Sequence, residues 1–413
     1  MPTLTIKNVG PIKNIENLEI NKVNVFMGPQ SSGKSTIAKI ISFCTWLEKK
    51  LRREGFLKFL DEDIKWINEL KTYHRLANGY FSKESAIFYE GERYNYLYNC
   101  KIEQSKLIVT GTEKEELKAK NTGRAFSNKV IYIPAERNFV SVVPNLAKYQ
   151  EVRDSLQDFI ISWFESKRTY NDENKLSILN LDAHFHTDSN DNDYITHKDG
   201  VKLKLQSASS GLQSIVPLLA LFEYDVIGLY GKSRPMSVND RDALINKYNE
   251  LYNAKKEAKE AIDSKDLEIL LDLILSKNYI NTKVIIEEPE QNLFPSTQKE
   301  LIYHLLKSLD FKRGDSTTLT THSPYILYAL NNCMMGFLVK DKMIKDEEYK
   351  DLSCLKSSID PNYVSVWEID NGTINNIQGE DKLIENNYFD SCMKEVMDDY
   401  YKMINYYDDE DSD

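Results

Sequence analysis

The residues of this chain best suited to chemistry form a glycine-bounded loop: Gly28, Pro29, Gln30, Ser31, Ser32, Gly33, Lys34, Ser35 and Thr36. The order G-x-x-x-x-G-K-[ST] is a phosphate-binding pattern. Glycines let successive backbone N–H groups turn toward an anion, Lys34 reaches the β- and γ-phosphates, and Ser35 is placed to hold Mg²⁺. The flanks give the pattern its context. Residues 23–27 read as an apolar strand, and Ile37, Ile40, Ile41, Cys44, Leu47 and Leu51 recur on one helical face. Strand, loop and helix in that order predict a bound nucleoside triphosphate, ATP or GTP, with magnesium.

Two later segments supply the groups such a site needs. Residues 283–288 read as a buried strand ending in Glu287 and Glu288, with Pro289 next. In a phosphate-loop protein such a strand lies beside the loop, so that its first acid serves the magnesium shell. The second acid then sits near the γ-phosphate, where a carboxylate can orient or deprotonate water. Residues 317–324 form another β-prone run, which delivers His322 at its end. An imidazole there can hydrogen-bond a phosphate oxygen or the water. Between loop and acids, Ser209, Ser210 and Gly211 precede the apolar run 215–222. Small residues at a helix N-terminus leave N–H groups and a hydroxyl open as a second anion-binding surface.

The elements that must position these groups alternate strand and helix. Segments 4–9, 15–20 and 23–27 read as three strands before the loop. After the loop helix, segments 86–90, 94–100 and 106–110 suggest a small inserted antiparallel β subdomain. The strand 130–133 ends in Pro134-Ala135-Glu136-Arg137, a charged pair where α/β folds place ligand contacts. A helix over 151–166 follows, then a strand at 181–186 and a hairpin, 194–197 with 201–205, turned by Asp199-Gly200. His184 and His186 share a strand face with no acid or cysteine close in sequence, which favours surface or packing roles over metal ligation.

Residues 240–277 read as a helical hairpin or pair, 336–339 as a strand, and 364–377 as a hairpin around Asn371-Gly372. A helix from about 382 leads into an acidic tail. The divisions expected are 1–60 for the N-terminal strands and phosphate loop, 81–115 for the β subdomain, and 128–235 for the Pro134 strand through Gly211. Next come 238–280 for the helical insertion, 281–380 for the acids, histidine and closing strands, and 381–413 for the last helix and tail.

Composition narrows the class. With 413 residues, 41% hydrophobic and 28% charged, the chain has ample material for a folded core. Five cysteines occur without C-x-x-C spacing, which argues against a zinc ribbon or a disulfide framework. The N-terminus lacks a signal pattern and no run of 18 apolar residues occurs, so a soluble, cytoplasmic protein is expected, without a membrane. A net charge of −11 speaks against a generally basic surface but leaves local DNA contact open.

Together these motifs resemble an ABC-type ATPase head of the RecF/SMC/OLD-like group, within the AAA family. Residues 6–12 are similar to that group's opening strand, and 28–36 to its phosphate loop. Ser209-Ser210-Gly211-Leu212-Gln213 stands where the group has its signature, Glu287-Glu288-Pro289-Glu290 matches its E-E-P-E, and Thr321-His322-Ser323-Pro324 its T-H-S-P. The resemblance implies an α/β P-loop NTPase with an antiparallel β subdomain and a helical insertion. It implies a dimer that sandwiches two ATP molecules, Ser209 and Gly211 of one subunit meeting the γ-phosphate bound by Lys34 of the other. By motif, Ser35 and Glu287 serve magnesium, Glu288 is the catalytic base and His322 the switch. Pro134-Ala135-Glu136-Arg137 stands where a lid glutamine is usual, and Glu287 replaces the commoner aspartate.

The likeness further implies a DNA-repair or anti-phage ATPase, similar to the ATPase subunits of the Septu, PARIS and retron systems, that controls a separate effector nuclease. The short stretch after His322 does not suggest a nuclease module of its own. Three alternatives remain: a slowly hydrolysing, nucleotide-dependent clamp or scaffold, a transporter nucleotide-binding subunit, and a small-molecule kinase.

Overall fold

The strand that feeds the glycine loop is buried on both faces, and this sets the architecture. A computed structural model describes the chain except residues 55–65, 94–95, 104–105, 114–126, 144–145, 147–153, 231–237, 259–260, 262–278, 344, 348–350 and 408–413. Strands β1 (Thr3–Val9) and β2 (Ile12–Glu19) form an antiparallel pair, and β3 (Val23–Met27) follows with every residue buried. On β3, Val23, Val25 and Met27 face the larger core, while Phe26 faces a second one. That second core is built from Leu4, Ile6, Ile12 and Ile15 of the antiparallel pair and from Ile37, Ile40, Ile41 and Cys44 of helix α1 (Lys34–Glu54). The loop helix is therefore clamped between two sheets.

Helix α2 (Trp66–Tyr73) leads to β4 (Phe81–Arg93), β5 (Tyr96–Glu103) and β6 (Lys106–Glu113). These three strands pair antiparallel with one another, as expected of the inserted β subdomain, and they continue the first sheet, in the order β2-β1-β4-β5-β6, because β4 also pairs antiparallel with β1 from Thr3–Glu90 to Val9–Phe81. Next come β7 (Ser127–Ile133) and α3 (Ser155–Lys167), whose first N–H groups are capped by Asp154. Strands β8 (Leu176–Ser177), β9 (Ala183–Thr187), β10 (Asp193–His197) and β11 (Lys202–Lys204) make a third, meandering sheet.

Helix α4 (Ser210–Phe222) runs into a π turn at Glu223–Ile227. The stretch Ser210–Ile227 is long and apolar enough to cross a membrane on composition alone, yet it is 67% buried within the core. Helix α5 (Val238–Ala258) answers to the first part of the expected helical insertion; residues 262–277 lie outside the described residues.

The remaining elements are β12 (Tyr279–Glu287), α6 (Pro295–Ser308), β13 (Ser316–Thr321), α7 (Pro324–Met343), β14 (Val364–Asp370), β15 (Thr373–Asn376) and α8 (Tyr388–Tyr407). The expected strand at 336–339 is the end of α7. Its upstream residues Ile326, Leu327, Leu330, Cys333 and Met334 bury one helical face, and an established helix propagates through a short β-prone segment. Asn371 and Gly372 turn β14 into β15 with φ of +49° and +83°, the geometry of a tight hairpin. The central sheet runs β15-β14-β3-β13-β12-β7, parallel except for the edge strand β15.

Candidate functional site

In open parallel sheets a ligand is met at the carboxyl ends of the strands. At the end of β3 the chain bends sharply, with φ of +143° at Gly28 and +114° at Gly33. Both positions exclude a side chain: a Cβ on Gly28 would run into the Ile369 carbonyl, and one on Gly33 into Ile12. Only glycine fits there. Lys34 begins α1 and is 4% exposed. Its ammonium folds onto the loop, donating to the Gly28 carbonyl at 2.8 Å and the Pro29 carbonyl at 2.6 Å. Burial lowers its pKa to about 8, against the opposing pull of Glu288 and Glu290. This is an α/β phosphate-loop fold.

Strand order decides what surrounds the loop. Between the loop strand β3 and the acidic strand β12 lies β13. Thr321 pairs with Met27 on one side, and Thr320 with Glu287 on the other. His322 thus leaves the sheet between the phosphate loop and the two acids, and three strand ends deliver three kinds of chemistry side by side.

Glu287 ends β12 and is 4% exposed. Its carboxylate accepts a hydrogen bond from the Tyr132 hydroxyl, and the nearby Ser35 hydroxyl favours its ionised form. Burial raises its pKa, with Lys39 the main opposing charge. A buried carboxylate beside a hydroxyl, with its ionised form under-compensated, suits a hard divalent cation. Ser35 and Glu287 therefore fit magnesium.

Glu288 follows in the left-handed region, φ +45°, and its N–H donates to the Thr320 carbonyl at 3.0 Å. Its Oε1 faces His322 Nε2 at 3.5 Å, and both side chains are about one-third exposed. Burial, then Lys34, hold the imidazole pKa below its ordinary value, while Glu288 pulls the other way. Glu290 reaches back under the pair and accepts from the His322 N–H at 2.5 Å. Its own pKa is raised by burial.

The segment Pro134-Ala135-Glu136-Arg137, expected to fill the lid position, divides into two roles. Glu136 is exposed and its charge is felt at Glu287. Arg137 is fully buried and lies behind the acidic turn, donating to the Glu287 carbonyl at 2.8 Å and the Glu288 carbonyl at 2.6 Å. Such a guanidinium cannot swing toward a nucleotide without abandoning those acceptors.

Ser209 caps α4, its hydroxyl accepting from Leu212 N–H at 3.5 Å, and Ser209 and Ser210 are exposed. Gly211 packs against the backbone of Asn292, where an added Cβ would sit 2.8 Å from the carbonyl oxygen. The signature segment is thus built onto the loop that follows the acids, presenting an open helix N-terminus.

Sequence reasoning passed over Tyr132, gave Glu290 no role of its own and read Arg137 only as part of a strand-end charged pair. The alternation of β7 carried a signal for the first. Ile131 and Ile133 face the large core, so Tyr132 must face the other way, toward Ala38 of the loop helix. His184 is exposed, its Nδ1 3.3 Å from the Ser177 hydroxyl, and His186 is buried. His186 stacks on Tyr194 and lies 3.2 Å from Asp172, and no group of three metal-ligating side chains occurs among the described residues.

No protein-family profile and no curated protein matches the chain. Among solved structures, the SMC head domain from Thermotoga maritima aligns over 92% of this chain and 98% of its own length, at 11% identity and a TM-score of 0.37. A dimeric bacterial ABC transporter cassette aligns over 91% and 99%, at 12% identity and a TM-score of 0.30. At such scores the likeness says nothing of activity, and the α/β class rests on the strand order itself.

Proposed function

We propose that this chain binds and hydrolyses ATP, and that two copies close around two nucleotides. The observation that carries the reading is the convergence of Lys34, Ser35, Glu287, Glu288 and His322 at three neighbouring strand ends. In this reading the N–H groups of 28–36 cradle the phosphates, and the Lys34 ammonium exchanges the loop carbonyls for phosphate oxygens. Ser35 and Glu287 would hold Mg²⁺, which when bound neutralises phosphate charge during transfer. Glu288 takes a proton from the attacking water, and His322 donates a hydrogen bond to a γ-phosphate oxygen or to that water. Ser209, Ser210 and Gly211 of the second copy complete the pocket with their helix N-terminus.

Association would then be the output of ATP binding. The motif order of the RecF/SMC/OLD-like group supports a role in DNA repair or phage defence, in which the closed dimer licenses a separate effector nuclease. We place the protein in the cytoplasm. The decisive experiment is sedimentation of a Glu288→Gln variant with ATP, with ADP and without nucleotide, beside ATP turnover by the unaltered chain. Doubling of mass with ATP alone, and turnover only by the unaltered chain, is expected. An unchanged mass in all three conditions sinks the sandwich. A closed dimer that persists as long in the unaltered chain as in the variant identifies a slow clamp instead.

A further inference from the structure

Arg137 is a fully buried cation with no carboxylate within ion-pair distance among the described residues. Its hydrogen bonds all go to backbone carbonyls: Glu287 at 2.8 Å, Glu288 at 2.6 Å, and Pro134 and Pro289 at 3.4 Å each. Such a charge is expensive to bury. Burial lowers its pKa to about 10, while Glu290, Glu288 and Glu287 pull it back up, so it remains a cation at neutral pH.

The carbonyls it gathers belong to one turn. Glu288 sits at φ +45°, a region that a side chain with a Cβ adopts only when the surroundings impose it. From one side β13 imposes it, the Thr320 carbonyl accepting the Glu288 N–H at 3.0 Å. From the other side stands the guanidinium, whose planar fork reaches the carbonyls of residues 287 and 288 at once. Both peptide groups flanking the Glu288 Cα are thus fixed, and with them the direction of its side chain.

We propose that Arg137 is a positioning residue: it locks the two peptide groups around Glu288 and so aims that carboxylate at His322 and the phosphate loop. This rests on the ATPase reading above, in which Glu288 is the base. Lysine keeps the charge but offers a compact point donor that cannot span two carbonyls, and glutamine keeps two donors without the charge. Either should leave the phosphate loop intact while loosening the acidic turn.

The test uses Arg137→Lys and Arg137→Gln in the full chain. ATP affinity should stay within about 3-fold and KM likewise, while kcat falls by about 10- to 100-fold, as expected for a misplaced catalytic group. In a Glu288→Gln background, Arg137→Lys should lower the residual rate by less than about 2-fold, because the residue acts through the missing carboxylate. A crystal structure of the lysine variant should show Glu288 out of the positive-φ region and its carboxylate withdrawn from His322. The proposal is overturned by an unchanged kcat, by a full multiplicative loss in the Glu288→Gln background, or by Glu288 unmoved in the crystal. It is equally overturned if both variants misfold or lose ATP binding, since Arg137 then supports the whole fold and not this side chain. If the unaltered chain turns over no ATP, the ATPase reading fails, and the crystal comparison still decides whether Arg137 sets Glu288.

Discussion

His322 Nε2 stands 3.5 Å from Glu288 Oε1, at the ends of two strands that lie side by side in the sheet. The backbone N–H of the same histidine is held by Glu290 at 2.5 Å. His322 is therefore held by the acidic turn at its backbone and at its ring, and a shift of one strand end must move both groups. Burial and Lys34 favour the neutral ring, which can donate a hydrogen bond to the carboxylate or to a phosphate oxygen without adding charge.

Glu288→Gln keeps the shape and removes the proton acceptor. ATP turnover should fall by about 10²- to 10⁴-fold with nucleotide affinity nearly unchanged. His322→Ala should cost about 10²-fold by removing one donor. Because the two side chains act as a unit, the double variant should be little slower than Glu288→Gln alone, which steady-state kinetics on the four proteins will read.

Lys34 makes ATP binding sensitive to alkali. Burial brings its folded-state pKa to about 8, below the ordinary lysine value of 10.5. Between those values the unfolded chain binds more protons than the native one, so stability of the free protein rises with pH across that window. Binding runs the other way. The phosphates need the charged ammonium, so ATP affinity should weaken as pH passes about 8, and binding near pH 8.5 should take up a proton. Calorimetry in buffers of different ionisation enthalpy measures that uptake, and its absence would show that Lys34 is fully charged beforehand.

In the proposed site Glu287 would trade stability for metal binding. Burial raises its pKa above the usual carboxylate value, so the native state holds a proton more tightly than the unfolded chain does. As pH rises through that interval, the charged carboxylate lowers native stability. Glu287→Gln keeps an acceptor for Tyr132 and removes the charge. At pH 7 without nucleotide its melting temperature should exceed that of the unaltered chain by about 1–3 °C, and the gap should close in acid. The same variant should lose Mg²⁺-dependent ATP binding. A lower melting temperature at pH 7 would mean the carboxylate is already compensated.

Chemistry carried by contiguous residues was legible in the sequence. The loop 28–36, the paired acids at 287 and 288 and the histidine at 322 each announce themselves, because the spacing of functional groups and the strand that presents them are local. Strand order was not local. Nothing in residues 316–321 says that β13 enters between β3 and β12, since parallel pairing is set by how the crossover helices pack. Long-range partners hid Arg137 in the same way: the Glu287 carbonyl that holds it lies 150 residues away along the chain. The pairing of the strands 81–113 with β1 was hidden likewise, because it crosses a long sequence gap.

The signature segment offers the cleanest separation of binding from association. Ser210 is exposed at the first turn of α4, where an acidic side chain is favourable to an isolated helix N-terminus. Ser210→Glu should therefore leave the monomer as stable as before, and Lys34 should bind ATP undisturbed in the same chain. Across the proposed sandwich, however, the new carboxylate would face the γ-phosphate of the other copy, and two anions meeting in a closed interface repel strongly. ATP-dependent dimerisation should be lost, and turnover should fall with it, while fluorescent-nucleotide titration shows affinity within about 3-fold. Mixing Ser210→Glu with Lys34→Ala tests the geometry further. Their heterodimer retains one intact pocket, made from Lys34 of the first chain and the unaltered segment 209–211 of the second. Some ATP-dependent pairing should return on mixing. If the mixture remains monomeric while the unaltered chain dimerises, the segment does not act across the interface.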